Sequence, residues 1–147
     1  MASSSLSSRC LVERVVVKGE SKEVWAARRS HRVVETQSKA LCLIGGLVDG
    51  NSAGDVWLCT GAVTSTKDDA LETSWSCVCD KASFRGRDGH AAVVTSSGSL
   101  LVLGGASSET DSLTTSDVWR SSDQGSTWEL VTSAPGWAAR IHHEAVV

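Results

Sequence analysis

The heptapeptide WAARRSH at Trp25–His31 recurs almost unchanged as WAARIHH at Trp137–His143. A looser copy, FRGRDGH, lies between them at Phe84–His90. All three copies place an aromatic residue first, an arginine three positions later and a histidine three positions after that. A pattern that returns at intervals of 59 and 53 residues indicates an internal structural repeat.

The residues between these copies repeat in the same order. Each unit contains a Gly pair that starts fourteen residues after its histidine, then Asp-Val-Trp, then a second tryptophan nine residues before the next aromatic. These positions are Gly45, Gly46, Asp55, Trp57 and Trp75 in the first unit and Gly104, Gly105, Asp117, Trp119 and Trp128 in the second. The two units differ in length only after the Gly pair and between the two tryptophans. Insertions confined to such places are typical of loops between fixed strands.

Each unit also contains four short strand-like runs separated by turn residues. They lie at about 31–36, 40–45, 55–60 and 74–79 in the first unit and at about 90–95, 99–104, 117–121 and 127–132 in the second. No window shows a sustained helical period. Four short antiparallel strands in about 50 residues are typical of a propeller blade.

Two sequence signatures carry a family resemblance. The hydrophobic run, Gly pair, spaced aromatics and Arg-x-x-His of residues 25–147 resemble the kelch repeat. The stretch SSDQGSTW at Ser121–Trp128, which includes Asp123 and Gly125, is similar to the Asp-box Ser-x-Asp-x-Gly-x-x-Trp. The first unit departs from the Asp-box, since KDDALETSW lacks the required Asp and Gly before its tryptophan. The resemblance implies an all-β, incomplete kelch-like β-propeller, in which the Asp-box is a structural turn between the third and fourth strands.

We predict two full four-stranded blades with partial strands at both ends. The expected boundaries are a frayed N-terminus at 1–11, the last strand of a preceding blade within 12–24, blades at 25–83 and 84–136, and the first strand of a truncated blade at 137–147. Propellers close with typically four to eight blades, so two blades do not close a ring. We therefore expect a fragment of a longer propeller. Assembly of several copies through open strand edges is the alternative.

Most repeated residues are expected to be structural. The Gly pairs permit positive φ and a close approach of neighbouring blades, and no helix pattern follows them as in a phosphate-binding loop. The tryptophans are expected to fill the space between adjacent sheets rather than to stack on a sugar or a base. The repeated histidines, His31, His90 and His143, are expected to pack inside the sheets, and no metal site is predicted for them.

The kelch resemblance also implies a ligand-binding face, lined by the turns before each first strand and by the loops after each Gly pair. Two roles remain open for the repeated arginines: bonding to neighbouring carbonyls, or meeting an acidic partner. The candidate surface combines the loops 49–52 and 107–115 with these arginines. Its residues are Arg28, Arg87, Arg140, Asp49, Asn51, Glu109 and Asp111.

Catalysis is not expected. Galactose oxidase, a kelch-type enzyme, needs tyrosine ligands, and sialidases, which carry Asp-boxes, use a tyrosine nucleophile, whereas this chain contains no tyrosine. We expect a non-catalytic binding or scaffold module with a protein partner and no cofactor. The alternative is part of a carbohydrate-active or oxidase-like enzyme whose catalytic residues lie outside these 147 residues.

Composition excludes other classes. A net charge of −3 without a basic block argues against nucleic acid, and no apolar run approaches the ~18 residues of a membrane helix. Five cysteines without a paired C-x-x-C framework, together with the lack of a secretory signal, favour a reducing, cytoplasmic compartment. Cys42 and Cys77 align with leucines of the second unit, which predicts small buried side chains.

Overall fold

The computed structural model describes residues 15–17, 25–59, 64–65, 71–109 and 114–147. In these ranges the chain forms strands and no helix, so none of the described residues belongs to a helix that could cross a membrane. The strands are β1 (Val15–Val17), β2 (Arg32–Glu35), β3 (Leu41–Ile44), β4 (Leu47–Val48), β5 (Asn51–Ser52), β6 (Val56–Cys59), β7 (Thr64–Ser65), β8 (Leu71–Thr73), β9 (Trp75–Cys79), β10 (Ala91–Val94), β11 (Leu100–Ala106), β12 (Thr114–Ser121) and β13 (Glu129–Thr132). The predicted all-β fold is confirmed.

Two antiparallel sheets of four strands form the repeated part of the molecule. Sheet 1 has the order β2-β3-β6-β9, and sheet 2 has the order β10-β11-β12-β13. The register is the same in both: Leu43 pairs with Trp57 in sheet 1, and Val102 pairs with Trp119 in sheet 2. The eight strand-like runs therefore form two equivalent up-and-down sheets, as an incomplete propeller-like fold requires.

The segments after the Gly pairs differ between the units. In the first unit β4 and β5 form a small hairpin, whose turn residues Asp49 and Gly50 have φ of 48° and 83°. Positive φ at both central residues defines a type I′ turn, for which Asp-Gly is a favoured pair. In the second unit β11 and β12 extend to pair Ala106 with Thr114 instead. The sequence analysis treated both segments as loops and missed the Asp-Gly hairpin signal.

A third, small sheet lies outside the repeat. Its order is β1-β8-β7, and β1 pairs with β8 in parallel, whereas every pair within sheets 1 and 2 is antiparallel. Within the predicted strand region 12–24, the structure describes a strand at β1, but its partner comes from the insertion between Trp57 and Trp75. The predicted frayed N-terminus, residues 1–11, lies outside the described residues. Residues 137–147 are described without a strand, so the truncated final blade stays a prediction.

The main core lies between sheets 1 and 2. Alternate side chains of a strand point to opposite faces, which lets one face of sheet 1 pack on the facing side of sheet 2. Burying each large aliphatic side chain stabilises the fold by about 1.5–3 kcal/mol. The buried members of this core are Ala40, Cys42, Ile44, Val56, Leu58, Ala82, Phe84, Leu100, Val102 and Trp128.

Candidate functional site

The arginine of the first heptapeptide is held by an aspartate of its own unit. Arg28 donates from Nη1 to Asp55 Oδ1 at 2.6 Å and from Nη2 to Asp55 Oδ2 at 2.8 Å. Nη1 also donates to the carbonyl of Gly45 at 2.9 Å, and Trp57 Nε1 donates to Asp55 Oδ2 at 2.6 Å. A two-pronged, charge-assisted contact of this kind is stronger and more directional than a neutral hydrogen bond.

The second unit repeats this network. Arg87 donates to Asp117 Oδ1 and Oδ2 at 2.9 Å and 3.2 Å, and to the carbonyl of Gly104 at 2.8 Å. It also donates to the carbonyl of Phe84. Trp119 Nε1 donates to Asp117 Oδ2 at 2.6 Å. The Asp-Val-Trp motif therefore supplies both the carboxylate and an indole donor that orients it.

These ion pairs are shielded from solvent. The side chains of Arg28 and Arg87 are only 1% and 3% exposed. Burial raises the pKa of both aspartates, but the hydrogen bonds from the arginines act against it, and the net pKa of each carboxyl is lowered. Both guanidinium groups are thus bound within their own units, and the contact of Arg28 and Arg87 with an acidic partner stays a prediction. The repeat alone did not predict that the two aspartates are the ion-pair partners of the arginines.

In the first two heptapeptides the aromatic residue packs edge-on against the second tryptophan of its unit. Trp25 and Trp75 have ring centroids 6.0 Å apart at an interplanar angle of 81°. The equivalent rings of Phe84 and Trp128 are 4.9 Å apart at 82°. Such T-shaped pairs contribute about 0.5–1.5 kcal/mol beyond the area they bury.

The Gly pairs join one unit to the next heptapeptide. Gly46 N–H donates to the carbonyl of Arg87 at 2.8 Å, and Gly105 N–H donates to that of Arg140 at 3.0 Å. A Cβ on Gly45, whose φ is 55°, would lie 2.7 Å from the Arg87 carbonyl oxygen. Only glycine combines this conformation with so close an approach of two backbones.

His90 lies beside this junction and is 0% exposed. Neither ring nitrogen has a hydrogen-bond partner among the described residues. Burial, with the nearby charges of Arg87 and Arg32, lowers the pKa of His90 to about 3, so the imidazole is neutral. Burial also lowers the pKa of His31 and His143. Within the described ranges, no three His, Cys, Asp or Glu side chains are grouped to hold a metal ion.

The loops after the two Gly pairs meet at one surface. Ser52 N–H donates to Ser108 Oγ at 2.9 Å, and Ser108 N–H donates to Ser52 Oγ at 3.1 Å. We call residues 49–52 and 107–109 the loop face. Its Asp49, Asn51 and Glu109 are exposed, while Asp111 lies outside the described residues.

Two concavities border the loop face. One, of about 310 Å³, is lined by Arg28, Arg29, Leu47 and Asp49 among others. The other, of about 270 Å³, includes Arg85 in its lining. Arg29 and Arg85 are exposed cations that the sequence analysis did not select. Arg29 directly follows Arg28, and Arg85 precedes Arg87 by two residues. Proximity to a repeated arginine is therefore the sequence signal that could have predicted them.

The stretch similar to an Asp-box forms the turn between β12 and β13. Ser121 Oγ donates to Asp123 Oδ1 at 2.8 Å and accepts from Gly125 N–H at 2.8 Å. Asp123 also accepts from Thr127 N–H at 2.9 Å. Trp128 Nε1 donates to the Gly125 carbonyl at 2.9 Å. The side chains of Ser121, Asp123 and Trp128 thus bond within the turn and stabilise it.

Cys42 and Cys77 differ in burial because they lie on different strands of sheet 1. Cys42 is fully buried, and burial raises the pKa of its thiol to about 12, so it behaves as a small apolar side chain. Cys77 is exposed, and its predicted burial is wrong. It lies on β9, an edge strand of sheet 1, where its aligned residue Leu130 of β13 is also 49% exposed.

Comparison with known proteins adds no family assignment. A scan against protein-family models finds no match to this chain, and a search of curated proteins finds none either. The similarity to kelch repeats and to the Asp-box therefore stays a prediction from the residues quoted above.

Removing the charge of one buried partner tests the repeated ion pair. We expect Asp117→Asn to lower the free energy of unfolding by about 3 kcal/mol, since it leaves the Arg87 cation buried without a counter-charge. The measurement is equilibrium urea unfolding followed by tryptophan fluorescence.

The matched control is Glu129→Gln, which breaks an ion pair with Arg120. The side chains of Arg120 and Glu129 are 49% and 61% exposed. Its expected cost is below about 1 kcal/mol. Equal costs for the two variants would contradict the structural role of the Arg87 pair.

The burial of His90 predicts a pH dependence of stability. Below its ordinary pKa of 6.5 the unfolded chain takes up a proton at this histidine, whereas the folded chain stays neutral down to about pH 3. Stability is therefore full above pH 6.5 and is lost as pH falls, by up to about 1.4 kcal/mol per pH unit. Urea unfolding between pH 6.5 and 4.5 measures this slope.

His90→Gln should reduce that slope to the part that His31 and His143 contribute. A wild-type slope in His90→Gln would show that this histidine is protonated in the folded protein or is not buried.

Proposed function

We propose that the chain is a non-catalytic binding module that contacts a protein partner through the loop face. The supporting observation is the reciprocal pair of hydrogen bonds between Ser52 and Ser108, which joins loops from two units into one surface. A third bond, from Ser52 Oγ to Asp88 Oδ1 at 2.9 Å, ties this junction to the second heptapeptide. Loops fixed in this way lose little conformational freedom on binding.

The charges around the loop face favour a protein as partner. Asp49 and Glu109 are exposed acids, and Arg29 and Arg85 are exposed bases at its border. A polyanion such as nucleic acid would meet the two acids directly, which is unfavourable. A protein surface of mixed charge can complement both signs, and such complementarity gives specificity.

The buried ion pairs fix the backbone that leads into the loop face. Arg28 binds the carbonyl of Gly45, directly after β3, and Arg87 binds that of Gly104, within β11 and three residues before the loop face begins at Ser107. The repeated residues therefore hold the loops, and the variable residues of the loops provide the contacts. This division favours recognition of one partner by a stable scaffold.

Site-specific photo-crosslinking tests the proposal. A benzophenone side chain at Asn51 should form adducts with a discrete protein in an extract of the source cells. The same group at Ser97 serves as the control, since this exposed residue lies in the β10–β11 turn at the opposite end of sheet 2. We expect Asp49→Ala with Glu109→Ala to reduce the Asn51 adduct about tenfold, equivalent to about 1.4 kcal/mol.

Circular dichroism of each variant confirms that the fold is intact. Adducts that form equally from Ser97, or that persist in the double variant, would overturn the loop face as the binding surface.

A further inference from the structure

The third heptapeptide is bound to sheet 2 as the second one is bound to sheet 1. Gly105 N–H bonds to the Arg140 carbonyl at 3.0 Å, as Gly46 N–H bonds to that of Arg87. A Cβ on Gly104 would lie 3.1 Å from His143 Cε1, which matches the approach of Gly45 to His90. Trp137, Arg140 and His143 are therefore held in the geometry of a further unit.

The side chains of this third copy do not have the contacts that the first two copies make. Arg140 donates from Nε to the Ala138 carbonyl at 3.0 Å, and no carboxylate within the described part of the chain forms an ion pair with it. Trp137 is 38% exposed, whereas the equivalent Phe84 is 1% exposed. In both complete units the contacts that Arg140 lacks come from one strand pair, which carries Gly-Gly and Asp-Val-Trp. The contact that Trp137 lacks comes from the second tryptophan of the unit.

A cavity with both apolar and ionisable lining residues lies beside this cation. Its volume is about 210 Å³, and it is lined by Leu103, Trp137, Arg140, His143, Glu144 and Ala145. Leu103 is half-buried, although its equivalent in sheet 1, Ile44, is 0% exposed because sheet 2 covers it. A positive charge next to an open apolar face complements a strand that offers both a carboxylate and aliphatic side chains.

We propose that this face, which we call the end face (Leu103, Trp137, Arg140, His143 and Ala145), binds a pair of β-strands from a protein that carries Gly-Gly followed by Asp-x-Trp. The carboxylate accepts from both terminal nitrogens of Arg140, and the first Gly carbonyl accepts from one of them. The tryptophan orients the carboxylate through its indole N–H. The occupant thus reproduces the contacts of Arg28 and Arg87, and the end face is a second interaction surface, separate from the loop face.

The chain itself supplies a probe of this chemistry. Residues 98–121 contain Gly104-Gly105 and Asp117-Val118-Trp119. A fluorescein-labelled peptide of this sequence is titrated with the full chain, and binding is followed by fluorescence anisotropy. We expect saturable binding, weakened at least about tenfold by Asp117→Asn in the peptide or by Arg140→Gln in the chain. Combining both changes should weaken binding no further, because they remove the same contact.

Lys81→Gln provides the matched control, since it removes an exposed cation that belongs to neither the loop face nor the end face and should leave the affinity unchanged. Arg140 is exposed, so its variant should keep the fold, which circular dichroism checks. Absence of saturable binding, or equal binding of the Asn peptide, would overturn the proposal. Sedimentation that shows a stable dimer dissociated by Arg140→Gln would also overturn it, because the end face would then bind a second folded copy, whose own Gly104 carbonyl and Asp117 carboxylate are already bound by Arg87.

Discussion

A single arginine joins two sheets of this molecule. The side chain of Arg87 binds Asp117 and the Gly104 carbonyl within sheet 2, while its main-chain carbonyl accepts the N–H of Gly46 from the first unit. Because the two functions belong to one residue, the position of sheet 2 relative to sheet 1 is tied to the internal geometry of sheet 2. The same main-chain bond recurs at the next copy of the heptapeptide, where the Arg140 carbonyl accepts the N–H of Gly105.

The arrangement separates support from recognition. A buried ion pair gains little net stability over an apolar pair, but its loss is costly, so it makes one geometry strongly preferred over others. Here that geometry fixes the carbonyls from which the loops depart. The residues of the loop face can then vary without a change in the sheets that support them. At the end face, the Arg140 carbonyl makes the same bond as that of Arg87, but its guanidinium has no carboxylate partner among the described residues.

The repeat made most of the fold predictable. Eight strands followed from turn signals and hydrophobic runs that recur in register, and their order followed from short connections. The pairing of Arg28 with Asp55 could not be predicted in this way, because the two residues lie 27 positions apart in the sequence and their contact depends on how the strands pack. The exposure of Cys77 depends on its strand being an edge, which local sequence does not encode. The partner of β1 lies in an insertion with no counterpart in the second unit.

Amide hydrogen exchange measured by NMR tests the central claim most directly, because it reports on the junction bond of Gly46 itself. If Arg87 links the sheets, the Gly46 N–H is protected to the same degree as the amide of Leu43 in the middle of sheet 1, and Gly50 at the exposed hairpin tip exchanges rapidly. The Gly105 amide should be protected through Arg140 in the same way. Exchange of Gly46 as fast as that of Gly50 would contradict the account.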